Sequence, residues 1–289
     1  HGWQDLTTLP KAMRETLTRE IPWVSYKEVK TLVSAKHDTH KAILRLADGA
    51  LVETVLMANK RGQWTICVSS QVGCAMQCTF CATGKMGLMR NLTVDEIADQ
   101  YRFWMEKIEE GQKVPMQRIS NVVFMGMGEP LANYENVKQT LLIWLKHTDL
   151  GPTHITVSTV GVLPMLEKLL SDPEWPAVRT AISLHSADPK TRHEIVPTSY
   201  DQFLPKIEDW TRRYFDKFGN RRHHLTFEYV LLRDINDTDH HAEMLSKMAA
   251  RLGKVKVNLI PYNFTDLGYT RTTDEQLARF KAALEARDV

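Results

Sequence analysis

The segment Trp64–Gly87, with the sequence WTICVSSQVGCAMQCTFCATGKMG, contains all four cysteines of the 289-residue chain: Cys67, Cys74, Cys78 and Cys81. The last three are spaced C-x3-C-x2-C and follow an apolar, β-rich run that is typical of a strand. Glycines come directly after them. This arrangement predicts a loop that leaves the end of a strand and surrounds one centre.

Three thiolates on one short loop suit a cubane iron–sulfur cluster, because cysteine is its usual ligand and a short loop can reach three corners of one cube. The fourth iron would stay open. Zinc is the alternative, but structural zinc takes four ligands, usually in two pairs separated by a dozen or more residues. The segment offers one C-x2-C pair, with Cys67 on the strand itself. The spacing therefore favours iron–sulfur, with zinc as the alternative.

Composition indicates an ordinary globular chain, with 43% hydrophobic and 25% charged residues. The net charge of +2 carries no general signature of a nucleic-acid binder, although it leaves room for a local basic patch. The longest apolar runs are far shorter than a membrane span, and clustered reduced cysteines fit a reducing compartment. We therefore expect a cytoplasmic protein without a membrane partner.

Beyond the cysteine loop, strand and helix patterns alternate. Strands are predicted over 119–125, 154–158, 178–184, 225–231 and 255–260. Helices are predicted from a capping box at 93–96 to about 108, over 134–146, 162–170, 203–215 and 238–252, and from 273 onwards. With the strand of Cys67 this makes six βα units. Such alternation predicts a parallel sheet with helices outside it, either doubly wound or closed towards a barrel, and six units form an incomplete barrel.

The N-terminal part has a different pattern. A short amphipathic helix is predicted over 9–17, opened by a proline. Two alternating runs over 41–57 are joined by Asp48-Gly49, a strong hairpin signal, and Glu53 lies in the second of them. We expect residues 1–60 to be the remnant of an accessory domain plus this hairpin, and residues 61–289 to form the core.

Polar segments follow the carboxyl ends of several predicted strands. These are the cysteine loop, 126–129, 158–159, 185–186 and 261–263. Taken alone, each has an ordinary explanation, such as a turn glycine, a helix cap or a satisfied histidine. Because barrels build their active sites on this edge, the joint placement predicts a functional site there.

The chain resembles a known family in many segments. The CAMQCTFC motif, the GMGEP strand end and the partial barrel are similar to those of the radical S-adenosylmethionine (SAM) superfamily. More closely, the chain resembles the RlmN/Cfr-type RNA adenine methyltransferases, through the segments CVSSQVGCAMQCTFCATG, NVVFMGMGEPL, ITVSTVGV, AISLH, EIVP, FEYVLL and NLIPYN. The resemblance runs from about Glu53 to the end of the chain. It implies an α/β fold, a partial (βα)6 TIM-like barrel of the radical SAM type with an N-terminal β-hairpin and helical extension.

The resemblance also implies roles for individual residues. Cys74, Cys78 and Cys81 would ligate a [4Fe-4S] cluster, and Glu53 and Cys67 would be catalytic, as proton acceptor and as the thiol that helps to release the RNA adduct. The remaining implied residues contact SAM: Gly128, Glu129, Ser158, Ser183, Leu184, His185 and Asn263.

The substrate implied by the resemblance is an adenine of RNA, methylated at C2 in 23S ribosomal RNA and, in some members, also in transfer RNA. A 5′-deoxyadenosyl radical would activate the unreactive C–H, and a donor such as flavodoxin would supply the electron. C8 methylation of the Cfr type is one alternative, and another radical SAM enzyme with a different substrate is a second. A zinc-stabilised RNA-binding protein is a third. For RNA contact the sequence offers Lys85, Arg90, Arg212, Arg213 and the basic turn 221–224.

Two departures from the family pattern lead us to expect a chain truncated at both ends. Only a fragment of the N-terminal helical domain is present, and the methyl-carrying cysteine that family members hold near their C-terminus is absent from these 289 residues. Cys67 is the one cysteine outside the predicted cluster. We therefore expect the 289-residue chain to bind the cluster and SAM and to cleave SAM reductively without methylating RNA.

Overall fold

The computed structural model of the protein describes residues 2–59, 61–109, 119–219, 225–253 and 255–289. Within these ranges the strands are β1 (Tyr26–Val33), β2 (Thr39–Leu46), β3 (Leu51–Ala58), β4 (Trp64–Cys67), β5 (Gln71–Gly73), β6 (Leu88–Asn91), β7 (Ile119–Phe124), β8 (Ile155–Thr159), β9 (Arg179–Ser183), β10 (Leu225–Leu231) and β11 (Val255–Pro261). The α-helices are α1 (Lys11–Glu20), α2 (Ala82–Lys85), α3 (Val94–Glu109), α4 (Tyr134–His147), α5 (Leu163–Ser171), α6 (Pro189–Ile195), α7 (Phe203–Phe218), α8 (Asp239–Leu252) and α9 (Asp274–Glu285).

The main sheet contains nine strands in the order β1-β2-β3-β4-β7-β8-β9-β10-β11. From β4 onwards, each strand is parallel to the next. These six strands lie side by side in chain order, whereas a doubly wound sheet reverses its order at a switch point. Six βα units wound in one direction form an open barrel, so the predicted partial barrel is confirmed over the doubly wound alternative.

The helices predicted after the cysteine loop are all present. The capping box at the start of α3 forms as expected: Glu96 N donates to Thr93 Oγ1 at 3.3 Å, and Thr93 N donates to Glu96 Oε2 at 2.9 Å. Between the helices and the sheet lies an apolar core that includes the fully buried rings of Trp104, Trp144 and Trp210. None of the described helices is both long and apolar enough to cross a membrane.

The predicted N-terminal hairpin is formed by β2 and β3, which pair in antiparallel register. Gly49 adopts a φ of +88° in the turn, and Ala50 N donates to Asp48 Oδ1 at 3.0 Å. Strand β3 in turn pairs with β4, which places Val55 opposite Cys67. The hairpin therefore continues the barrel sheet. The division of the chain at residue 60 stays a prediction.

A second, small sheet closes the base of the cysteine loop. Strands β5 and β6 form this antiparallel pair. Gly73 has a φ of +78°, and a Cβ atom there would lie 1.8 Å from the carbonyl oxygen of Gly87. Cys74 N donates to that same oxygen at 2.9 Å. Only glycine at position 73 allows the two ends of the loop to approach this closely.

Candidate active site

The cysteine loop, residues 74–81, is fixed to two distant parts of the barrel through Thr79. The backbone N–H of Thr79 donates to Ile195 O at 3.0 Å, at the end of α6. Tyr269 OH, in the segment after β11, donates to Thr79 Oγ1 at 2.6 Å. The loop is therefore held against the same edge of the sheet from which the other predicted site residues come.

The three predicted cluster ligands influence each other electrostatically. Burial raises the pKa of Cys74 to about 11, and the charge of Cys81 acts in the same direction. Burial likewise raises the pKa of Cys78 to about 12, again reinforced by the other two thiols. Three sulfurs that repel each other when ionised need a cationic centre, and iron atoms supply one. The residues present therefore fit a [4Fe-4S] cluster.

A single metal ion and an iron–sulfur cluster require different arrangements of their ligands. Within the described ranges, no three His, Cys, Asp or Glu side chains are arranged around one metal ion. A cubane cluster places each of its thiolate ligands on a different iron, so its ligands are spread more widely than those of a single ion. The finding therefore concerns single-ion sites, and the assignment of the three cysteines to a cluster stays a prediction.

The two predicted catalytic residues lie on neighbouring strands. Cys67 ends β4 and is 8% exposed, and burial raises the pKa of its thiol to about 12. Glu53 lies on β3, and its negative charge raises the pKa of Cys67 further. The Glu53 carboxylate is half-exposed and pairs with Lys41 Nζ at 2.8 Å, a partner that the sequence did not reveal. Cys67 is thus enclosed, whereas Glu53 lies at the open surface.

Glu129 is a buried carboxylate held by backbone groups. Its Oε2 accepts from Val160 N at 2.8 Å, and its Oε1 accepts from Leu131 N at 3.0 Å. Burial raises its pKa, and no Lys, Arg or His of the described residues forms an ion pair with it. The Thr159 side chain also forms a hydrogen bond with this carboxylate. A buried anion without a cationic partner fits the ammonium group of a ligand.

Residues predicted to contact SAM also meet across β7, β8 and β9. The hydroxyl oxygens of Ser158 and Ser183 are 3.3 Å apart on adjacent strands. Gly128 has a φ of +99°, and a Cβ atom there would lie 2.5 Å from the side chain of Gln71. Glycine at this position lets the end of β7 lie against the segment after β4, next to Glu129.

His185 is held in one orientation and one tautomer. Its backbone lies in the left-handed region, with a φ of 56°, and its N–H and that of Leu184 both donate to Glu228 O. Its Nδ1 accepts from Val230 N at 3.2 Å, which leaves the proton of the neutral ring on Nε2. Burial lowers its pKa to about 3. The ring, which contacts Phe80 of the cysteine loop, therefore presents a neutral Nε2–H donor near pH 7.

The last predicted SAM contact and the basic residues are more peripheral. Asn263 lies just beyond β11 and is exposed.

Arg90, one of the basic residues predicted to contact RNA, binds both carboxylate oxygens of Glu96, at 2.8 and 2.9 Å, and also pairs with Asp48. It is therefore not available to phosphate in the way the sequence indicated, whereas Lys85 is exposed. Arg212 and Arg213 also pair with carboxylates, and the basic turn 221–224 lies outside the described residues.

Sequence reasoning missed two buried polar residues of the site. Gln71 accepts from Glu129 N at 2.8 Å and is 1% exposed. Arg192, in α6, is also 1% exposed and donates to Ser183 O at 3.0 Å. Gln71 belongs to the CVSSQ segment, which could have identified it. Arg192 lies in the polar segment KTRHE, whose composition gives no sign of burial.

Comparisons with known proteins agree with this architecture. Residues 68–245 match the model of the Radical SAM superfamily. The crystal structure of a radical SAM methyltransferase from Sphaerobacter thermophilus matches with a TM-score of 0.91 at 36% identity, covering 100% of this chain and 82% of that one. This match confirms the fold predicted from the sequence.

Individual relatives show which family of the superfamily is most similar to this chain. A "Probable dual-specificity RNA methyltransferase RlmN" from Akkermansia muciniphila is 37% identical, and the match covers 96% of this chain and 77% of the relative. A "Ribosomal RNA large subunit methyltransferase N" from Nitrosopumilus maritimus is 39% identical, over 99% of this chain and 81% of the relative. With the cysteine loop and the strand-end residues brought to one edge of an open barrel, the chain belongs to the radical SAM superfamily and, within it, to the RlmN family of RNA methyltransferases.

Proposed function

We propose that this protein is a radical SAM methyltransferase that acts on an adenine of RNA, at C2 in 23S ribosomal RNA and also in transfer RNA. The observation that carries the proposal is the identity of 37–39% to RlmN-type relatives over nearly the whole chain. The relatives' names favour the C2 branch over the C8 branch. The chain uses a [4Fe-4S] cluster and SAM, as its family implies.

The first task of the chain is to hold the two cofactors. Cys74, Cys78 and Cys81 hold the cluster, which supplies the electron that cleaves the sulfonium bond of SAM and so generates a radical. The Glu129 carboxylate receives the amino group of SAM, since it is buried and lacks a cation of its own.

The remaining strand ends orient the rest of SAM. The paired hydroxyls of Ser158 and Ser183 face the same edge, and the Leu184–His185 turn presents a neutral ring donor. Asn263 approaches from the last strand. Because the reacting groups are held by strand ends rather than by free loops, their separation is set by the sheet.

Two residues act on the RNA. The Cys67 thiol stays protonated near pH 7, since burial and the charge of Glu53 both raise its pKa. To release the methylated adduct, the role that the resemblance implies, Cys67 would lose this proton and form a bond to the sulfur of the methyl-carrying cysteine, while that sulfur's bond to the RNA-linked carbon breaks and the carbon takes up a proton. Glu53, which pairs with Lys41 Nζ at 2.8 Å, is the proton acceptor that the family resemblance implies. The target adenine must leave its stack to reach this enclosed edge.

The protein also needs a contact with the RNA backbone and a source of electrons. Lys85 follows the cluster loop and offers an exposed charge to the phosphate backbone. A one-electron donor such as flavodoxin reduces the cluster, and the protein works in the cytoplasm.

Labelled methyl transfer tests the function. The gene product, reconstituted anaerobically, is incubated with a reductant, methyl-deuterated SAM and either 23S ribosomal RNA or transfer RNA, and nucleosides are analysed by mass spectrometry. We expect 2-methyladenosine that carries the label, and none with a Cys78→Ala control. With the product of the complete gene, 5′-deoxyadenosine without label in either RNA would contradict the proposed substrate, and label at C8 would contradict the proposed position. With the 289-residue chain, cleavage of SAM without label in RNA is the expected result, because no cysteine follows Cys81 in it.

Substitution of Glu129 tests the SAM site. We expect Glu129→Gln to weaken SAM binding about ten- to hundredfold, since losing a charge-assisted hydrogen bond costs roughly 1.5–3 kcal/mol. Iron content should stay at the wild-type level. Equilibrium dialysis with labelled SAM measures the affinity, and Glu167→Gln, which removes a surface carboxylate paired with Arg213, is the control. An unchanged affinity in Glu129→Gln would show that the amine binds elsewhere.

A further inference from the structure

Arg192 joins two strand ends of the site from inside the protein. It lies in α6 and is 1% exposed. Its guanidinium donates to Val160 O at 2.7 Å, just beyond β8, and to Ser183 O at 3.0 Å, at the end of β9. It also donates to Leu184 O. One planar group therefore fixes the spacing of two segments that carry predicted SAM contacts.

The charge of Arg192 has no carboxylate partner in the described part of the chain. Its hydrogen bonds go to neutral carbonyls, and its guanidinium lies over the Phe203 ring at 3.9 Å. The Nε atom is buried without a hydrogen-bond partner there. Burial lowers the pKa of Arg192 to about 9, so the group stays positive near pH 7. Burying a cation without an anion is costly, and folds rarely keep one without a reason.

The titratable groups that interact electrostatically with Arg192 are Cys78 of the cysteine loop and Tyr200. Thr79 N donates to Ile195 O, so the loop is bound to the helix that carries Arg192. Cys78 packs against the apolar cluster that contains Ile195. Arg192 and Met76 also line a common cavity of about 220 Å³. The positive charge of Arg192 acts on Cys78, where it opposes the effect of burial on the thiol pKa.

We propose that Arg192 is a positioning residue that keeps a fixed positive charge beside the Cys78 ligand and thereby makes the cluster easier to reduce. The inference rests on the cluster assigned above. In the step concerned, a one-electron donor, dithionite in the assay, passes one electron to the cluster, which goes from [4Fe-4S]2+ to [4Fe-4S]+ without breaking a bond. The reduced form is more negative, so a nearby cation stabilises it more than the oxidised form.

A redox titration of the reconstituted protein, without SAM or RNA, tests the inference. The reduced cluster is quantified by electron paramagnetic resonance in wild type, Arg192→Gln and Arg192→Lys. At a fixed solution potential we expect Arg192→Gln to lower the ratio of reduced to oxidised cluster about tenfold, because the variant removes a positive charge that stabilises the reduced form. For a one-electron couple that ratio corresponds to about 59 mV. Arg192→Lys should stay close to wild type.

A second pair of variants leaves Arg192 in place. Tyr200 lines the same cavity and is 37% exposed, so Tyr200→Glu puts a carboxylate near the guanidinium at a position that tolerates charge. Tyr200→Glu should lower the ratio of reduced to oxidised cluster, as Arg192→Gln does. Tyr200→Gln should leave this ratio unchanged. This pair remains informative if Arg192→Gln fails to fold.

Different results would contradict the role of Arg192 and the proposed function of the protein. If Arg192→Gln and Tyr200→Glu both show the wild-type reduction potential of the cluster, the inference is overturned. Equal losses in Arg192→Gln and Arg192→Lys would also overturn it, because the carbonyl contacts and not the charge would then matter. Absence of iron and sulfide from the wild-type protein would instead contradict the cluster, and with it the proposed function.

Discussion

The Cys78→Ala variant, reconstituted anaerobically with iron and sulfide, is expected to retain almost no iron, whereas wild type binds about four irons per chain. Cys78 is one of three thiols on a single loop, and its loss leaves one iron of the cube without a protein ligand. The matched variant is Cys67→Ala, which removes a buried thiol on β4 and should keep the full cluster. Iron and acid-labile sulfide analysis measures both.

The comparison of these two cysteines also identifies the metal. If Cys67→Ala loses iron as completely as Cys78→Ala does, Cys67 is a ligand and the assignment is wrong. If the wild-type protein instead holds one zinc and no sulfide, the zinc-stabilised alternative is correct. Thermal unfolding of both variants without metal shows whether either substitution acts through the fold.

Gly73→Ala is expected to destabilise the protein by roughly 2–6 kcal/mol. The residue has a φ of +78°, and the new Cβ atom would lie 1.8 Å from the Gly87 carbonyl oxygen. The unfavourable backbone conformation contributes about 1–3 kcal/mol, and the displacement of the neighbouring backbone contributes a similar amount. Urea unfolding of the protein without metal measures the effect. The cluster should also be lost, because the β5–β6 pair that closes the cysteine loop must separate.

Gly87→Ala is the control for this prediction. Gly87 has a φ of +69°, but a Cβ atom there would meet nothing within 4 Å. We expect a cost of about 1–2 kcal/mol from the backbone conformation alone, with the cluster retained. Equal destabilisation by the two substitutions would mean that the close approach at Gly73 does not matter for folding.

The sequence was sufficient to predict a parallel sheet with helices outside it, because its elements follow simple periodic rules. Strands such as β8 and β10 are largely buried on both faces and are separated from their neighbours by amphipathic helices, so the alternation of strands and helices is visible in the pattern of apolar residues. Right-handed connections are common to doubly wound sheets and barrels, so the preference for a partial barrel came from the resemblance. The cysteine spacing and the strand-end residues located the site on one edge, although the roles of individual residues came from resemblance.

Other features depend on contacts that no local pattern contains. Strand β1 is largely exposed and lacks a buried face, so nothing in Tyr26–Val33 alternates. Strand β5 has three residues and forms only because β6 returns to it after the cysteine loop. The ion pair of Glu53 and the buried charge of Arg192 both depend on partners from other elements. Contacts with distant parts of the chain, rather than local secondary-structure propensity, determine the structure at these positions.

The hydrogen bonds of Thr79 bear on when the cluster can be inserted. Its partners Ile195 and Tyr269 lie 116 and 190 residues further along the chain. Contacts across such separations form late, because the intervening chain must first lose its freedom. The cysteine loop is made early in synthesis, yet it obtains its final shape only when the last strands have docked. We therefore expect metal loading to be a late step in the maturation of this barrel rather than the event that starts its folding.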